Sequence, residues 1–303
     1  MKFELTILGS SSATPIFNRN PSSQALNANE KIFLIDCGEG TQSQLLRYGI
    51  KSQRIDHIFI THLHGDHYLG LVGLLSSLHL NGRIKPMRIY APPGLQEIVE
   101  LQFKHSQTIL RYQIVFYSIQ NITPEVIYEN NELTVETIIL SHRIPCTGFK
   151  FTEKQRLPKI IRSKAEALDI PVEYIPLIKK GFSYTSKDGK IYTAEELTMP
   201  ADTPKSYAYC SDTICNWEYI ESIRNVDMLY HEATFMHNML DRALETFHTT
   251  ALQAAEIAIK ANVKKLLLGH FSARYRDLAP LLEESRTVFP NSELAIEGVT
   301  FNI

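Results

Sequence analysis

The chain has 303 residues, 44% of them hydrophobic and 21% charged, with a formal net charge of −2, which allows a large buried core and excludes a protein coated in basic surface. No apolar run reaches the ~20 residues that span a bilayer; the longest, Leu69 to Leu80, is interrupted by Gly70, Gly73, Ser76, Ser77 and His79. Four cysteines, at 37, 146, 210 and 215, form no Cys-x-x-Cys pair, so reduced thiols in a cytoplasmic chain are expected.

Phe3, Leu5 and Ile7 alternate with Glu4 and Thr6, a strand pattern where a secretory signal would need a basic head and an apolar run. Helices are predicted over 38–48 and 68–80, and again over 249–261, where Ala251, Leu252, Ala255 and Ile259 repeat at helical spacing and Asn262 marks the stop. Between them lie four short β-type runs, each leading into a residue able to bind a metal. His57–Ile60 leads to His62, Val135–Leu140 to His142, Tyr207–Cys210 to Asp212, and Lys265–Leu268 to His270. Ligands grouped at strand ends place a site on one edge of the sheets. Strands and helices mix in both halves, which predicts two similar β/α halves packed face to face in a single domain over residues 1–303.

The stretch of about 150–205 breaks this pattern and reads as an insertion. Its charge is local: residues 150–190 hold ten Lys/Arg against five Asp/Glu, about +5, leaving the remainder near −7. Tyr174, Phe182, Tyr184 and Tyr192 are interleaved with the lysines, a composition able to grip nucleic-acid phosphates.

The most specific segment is Thr61-His62-Leu63-His64-Gly65-Asp66-His67. His62 and His64 share one side only if the chain is extended, so they belong to a strand-to-helix loop. Asp66 and His67 then turn toward a neighbouring position near the start of the next helix. Four such side chains in six residues would crowd one tetrahedral ion, and two ions sharing the loop is the better geometry. Imidazole suits zinc, while a carboxylate can bridge two cations and offset their charge, a role that fits Asp212. Manganese or cobalt would accept similar ligands. His79, His105 and His237 have no such support and are read as surface or core residues.

His-x-His-x-Asp-His, here His62 to His67, resembles the hallmark of the metallo-β-lactamase superfamily, and the resemblance implies a four-layer αββα sandwich with a two-metal site at one edge. Within it, His231-Glu232-Ala233-Thr234, Phe247-His248-Thr249-Thr250 and Gly269-His270-Phe271-Ser272-Ala273-Arg274-Tyr275 resemble the ribonuclease Z family, as do Leu8-Gly9-Ser10 and Ile35-Asp36-Cys37-Gly38-Glu39-Gly40. That likeness implies two zinc ions per subunit, one held by His62, His64, His142 and Asp212, the other by Asp66, His67, Asp212 and His270. The family's basic N-terminal loop reads Pro15-Ile16-Phe17-Asn18-Arg19-Asn20 here, with Phe17 at the lysine position.

The resemblance further implies a tRNA 3′-processing endonuclease acting on precursor tRNA, a homodimer, and an arm at about 150–205 that clamps the tRNA. Water activated at the two ions would attack the phosphorus just beyond the discriminator base. Asp66 would orient it and accept its proton, and His248, placed by Glu232, would protonate the leaving 3′ oxygen. A 3′-OH would remain on the tRNA and a 5′-phosphate on the trailer. The metal ligands alone would also serve a hydrolase of small substrates; Glu232, His248 and the basic stretch are what argue against that rival.

Overall fold

The computed structural model describes residues 2–16 and 19–303, so Phe17 and Asn18 of the N-terminal loop lie outside the described residues. The chain divides into two compact units, one of Met1–Glu129, Thr134–Thr152 and Lys205–Ile303, the other of Asn130–Leu133 and Glu153–Pro204.

The first unit is built on two seven-stranded sheets. In one the strands run in the order Thr300–Asn302, Phe3–Gly9, Ser23–Ala28, Lys31–Cys37, Ile55–Phe59, Met87–Ala91 and Ile114–Ser118. In the other the order is Ser292–Leu294, Lys265–Gly269, Met228–Glu232, Ser206–Cys210, Cys146–Glu153, Leu133–Leu140 and Val126–Glu129. Each sheet has a parallel block of four strands, the arrangement expected of strands covered on both faces, whose sequences read as near-continuous apolar runs such as Leu266-Leu267-Leu268.

Alternation decides which side chain faces which layer. Ile58 and Ile60 pack outward with Leu71, Leu74, Leu75 and Leu78 of the helix Leu71–Leu80 and with Leu95 and Val99 of the helix Leu95–His105. Phe59 faces inward, against Phe149 and Phe151 of the opposite sheet at ring separations of 5.4 Å each. On the far side, Leu266 and Leu268 lie with Ala251, Ala254, Ala255, Ile257 and Ala258 of the helix Ala251–Lys260. The small side chains of that helix face let its backbone lie close to the sheet. Helices thus cover the outer face of each sheet, and the four-layer α/β sandwich of the metallo-β-lactamase fold results.

The second unit has its own small core of Ala165, Ile170, Ile178, Tyr184, Ala194 and Leu197. Short helices, Arg162–Ala167, Ile175–Lys179 and Ala194–Leu197, alternate with two-residue strands paired as 159–160 with 198–199 and 184–185 with 191–192. It carries nine Lys/Arg and nine Asp/Glu, because Glu132, Glu195, Glu196 and Asp202 belong to it and Lys150 does not. Lys159 pairs with Asp202 and Lys187 with Asp169, and Arg162 with Glu166. The excess of +5 seen over 150–190 is therefore a property of that window and not of the folded unit.

No helix among the described residues is long and apolar enough to cross a membrane.

Candidate metal centre

Four strand ends and one loop deliver the side chains. Residues 61–64 leave the strand Ile55–Phe59, and the short helix Gly65–Tyr68 then turns Asp66 and His67 to the other side of the same cleft. Gly38 makes this tight turn possible: a β-carbon there would lie 2.4 Å from the carbonyl oxygen of Asp66. His142 follows the strand Leu133–Leu140, Asp212 the strand Ser206–Cys210, and His270 the strand Lys265–Gly269.

These residues converge in two sets. In the first, His64 Nδ1 lies 3.1 Å from His62 Nε2 and 3.2 Å from His142 Nε2, and Asp212 Oδ2 lies 3.7 Å from each of the other two imidazole nitrogens. In the second, His67 Nε2 and His270 Nε2 are each 3.4 Å from Asp66 Oδ2, and 3.3 Å and 3.1 Å from Asp212 Oδ1. A tetrahedral ion with ligand bonds near 2.1 Å holds its donors roughly 3.4 Å apart. Both sets fit that spacing. Asp212 gives one oxygen to each, which is how a carboxylate bridges two cations.

The buried His67 Nε2 tests whether an ion belongs there. It has no hydrogen-bond partner among the described residues, although carboxylate oxygens lie close to it. A buried nitrogen left without a partner is costly, unless its lone pair has a cation to bind. Burial disfavours a charged His67, but Asp66, Asp212 and Asp36 outweigh it and push the group well above the usual histidine range. That demand for positive charge is what a divalent ion would meet, and the set fits a metal cofactor.

The opposite ring nitrogens are tied down, which fixes each imidazole's tautomer and direction. Asp36 Oδ2 accepts from His67 Nδ1 at 2.8 Å, the carbonyl of Phe247 accepts from His142 Nδ1 at 2.9 Å, and Thr61 Oγ1 and Thr234 Oγ1 lie 3.0 Å and 2.9 Å from the Nδ1 atoms of His62 and His270. Asp66 Oδ2 accepts from the backbone N–H of Ala13 at 2.7 Å. Of these partners, the sequence reading gave no role to Asp36, Thr234, Ala13 or Phe247. Asp36 and Thr234 stand in recognisable motifs, whereas Ala13 and Phe247 act through backbone atoms that leave no side-chain signal.

Glu232 is fully buried, and its Oε1 lies 2.9 Å from His248 Nδ1 while also accepting from Thr213 N at 2.8 Å. Burial opposes a charged His248, but the Glu232 charge and hydrogen bond prevail and raise it to about 9. The His248 ring is 5.2 Å from that of His142 and 5.3 Å from that of His270, so it stands over both sets. Asp212, His248 and His270 also come close enough to form a third grouping; Glu232 occupies Nδ1 of His248, and Asp212 and His270 already serve the second set. His79 and His237 instead meet Arg111 N at 3.0 Å and Thr250 Oγ1 at 3.2 Å.

The chain is 46% identical over 302 residues to a ribonuclease Z of Bacteroides fragilis strain YCH46, covering 100% of this chain and 99% of that one. Against a ribonuclease Z of Phocaeicola vulgatus the identity is 47%, with coverage of 100% and 98%. The solved structure of the short form of human tRNase Z superposes with a TM-score of 0.72 at 25% identity, covering 99% of each chain. Residues 3–168 also match the family described as Anti-Pycsar protein Apyc1. That segment contains the His62–His67 loop and His142 but ends before Asp212, Glu232, His248 and His270. The full-length relatives align across all of them, and the assignment they support is the more complete.

Proposed function

Since the chain belongs to the ribonuclease Z family and is a hydrolytic nuclease, we propose that it is a two-zinc endoribonuclease that cuts precursor tRNA just 3′ of the discriminator base. The observation that carries this reading is the Glu232–His248 pair standing over both metal sets, because phosphodiester cleavage needs a proton for a poor leaving oxygen as well as an activated water. His62, His64, His142 and Asp212 would hold one ion, and Asp66, His67, Asp212 and His270 the other. Bound there, the ions would lower the pKa of water to about 7 and neutralise charge building on the phosphate.

The protein's own groups supply the remainder. Asp66 keeps one oxygen on Ala13 N–H and close to the second set, from where it orients the attacking water and accepts its proton. His248 carries a proton at neutral pH and gives it to the 3′ oxygen of the tRNA. Glu232 holds that ring in place and favours its protonated form. The tRNA would keep a 3′-OH and the trailer a 5′-phosphate. Lysine side chains of the second unit would contact tRNA phosphates, with aromatic side chains among them, and a homodimer in the cytoplasm is the setting the family resemblance implies.

Incubating the purified protein with a precursor tRNA bearing a 3′ trailer, then mapping the cut and its end groups, tests the proposal. A metal-dependent cut at the discriminator is expected. Its absence would shift the reading to a small-substrate hydrolase.

A further inference from the structure

Tyr209 lies in the strand Ser206–Cys210 of the second sheet, fully buried, and crosses the interface between the sheets. Its hydroxyl donates to Asp36 Oδ2 at 2.9 Å, the same oxygen that receives His67 Nδ1 at 2.8 Å. On its other side the hydroxyl is 3.5 Å from Ser211 Oγ, which donates to Asp212 Oδ1 at 3.0 Å. His67 Nε2 and Asp212 Oδ1 both face the second ion set. A phenol on one sheet thus meets two lines of hydrogen bonds that end on ligands of one ion position.

We propose that Tyr209 is a positioning residue for the second metal position, a strut that holds Asp36 and, through it, the His67 imidazole at the angle that aims Nε2 into the site. The inference rests on the two-ion reading above. Four donors surround the Asp36 carboxylate: Thr61 N reaches Oδ1 at 2.9 Å, Thr61 Oγ1 lies 3.1 Å from both oxygens, and His67 Nδ1 and the Tyr209 hydroxyl meet Oδ2. Thr61 and His67 both belong to the segment that carries the candidate ligands, so they tie Asp36 to the loop it supports. Tyr209 is the donor that reaches the carboxylate from the opposite sheet, and so braces it against something other than that loop. Burial pushes the Tyr209 phenol well above its usual range, so it stays a donor throughout the working pH range. The 3.5 Å step to Ser211 is too long for a strong hydrogen bond, so the Asp36 arm dominates.

Partners that orient a metal-bound histidine typically contribute tenfold or more to metal affinity. Tyr209→Phe keeps the ring and loses only the hydroxyl. The control is Tyr207→Phe, two residues earlier on the same strand, which loses an equally buried hydroxyl bond, to Gln24 Oε1, with no link to a ligand. Apo-protein would be titrated with zinc against a competing chelator, and with cobalt, whose absorption spectrum reports each position separately.

Wild type and Tyr207→Phe are expected to bind two ions with matching affinities. In Tyr209→Phe, the second affinity should fall about tenfold while the first stays within about twofold, with a smaller loss of the same kind in Ser211→Ala. Equal behaviour of the two tyrosine variants, or equal loss at both positions in Tyr209→Phe, overturns the proposal. If Tyr209→Phe fails to fold, an Asp36→Asn variant with the second affinity unchanged overturns it too, since the proposed route to His67 runs through Asp36. Wild-type protein that binds a single ion instead refutes the two-ion reading, and the role of Tyr209 with it.

Discussion

His248 Nδ1 lies 2.9 Å from Glu232 Oε1, and Glu232 has no solvent contact through which to shed its charge. The pair is a fixed imidazole on a buried carboxylate, with the rest of the imidazole ring turned toward the metal sets. His248→Ala should therefore keep the fold and both metals while kcat on precursor tRNA falls by a factor on the order of a hundred to ten thousand. Metal analysis together with single-turnover cleavage decides it, and an unchanged kcat removes His248 from the chemistry.

On the proposed chemistry, the same pair should set the alkaline limb of the pH profile. His248 must be protonated to donate, and its pKa is raised to about 9, with burial opposing and Glu232 prevailing. Its contribution is complete well below that value and is lost as pH rises through it. Cations bound nearby work against Glu232, so the observed limb should fall at or below about 9. Glu232→Gln removes the carboxylate charge and should move the limb down toward the ordinary histidine value of about 6.5. A limb that stays in place in Glu232→Gln would assign it to another group.

Asp212 offers Oδ2 to one metal set and Oδ1 to the other, and burial is offset there by the surrounding histidines His270, His67 and His62, which hold its carboxyl well below the usual range. Asp212→Ala should lose at least one equivalent of metal after dialysis, and cleavage with it. Elemental analysis showing two full equivalents retained would contradict a bridging role.

Much of this site was legible because its candidate ligands are side chains at strand ends. The strands before His142, Asp212 and His270 run to within a few residues of each ligand, as the apolar runs require. What escaped was backbone work. The predicted helix over 38–48 begins only at Thr41, since Gly40 adopts a left-handed φ of 85°. The helix predicted over 68–80 begins only at Leu71, after a separate short helix Gly65–Tyr68, with Gly70 packed so tightly that a β-carbon would lie 2.2 Å from the carbonyl oxygen of Gly38. Phe247 reaches His142 only because it too is left-handed, at φ 58°, a conformation that no residue type at that position announces. The charge of the inserted segment depends on its boundaries for a different reason: a window in sequence is not a unit in space, and the compact unit omits Lys150 and adds Glu132, Glu195, Glu196 and Asp202, which makes it neutral.

That neutrality narrows where tRNA binding is sought in the second unit. Lys159 and Lys187 are already paired with Asp202 and Asp169 at 2.7 Å and 2.6 Å, and breaking such pairs to bind phosphate returns little. Lys179 and Lys180 follow one another at the end of the helix Ile175–Lys179, among the exposed side chains of Tyr174, Leu177 and Phe182, and no ion pair engages them among the described residues. Replacing both with alanine should weaken tRNA binding and reduce the slope of log affinity against log salt by about one for each phosphate that is no longer neutralised. Lys159→Ala with Lys187→Ala should leave the slope nearly unchanged. Binding titrations over a series of salt concentrations separate the two pairs, and equal slopes for wild type and the Lys179/Lys180 double variant would place the grip elsewhere.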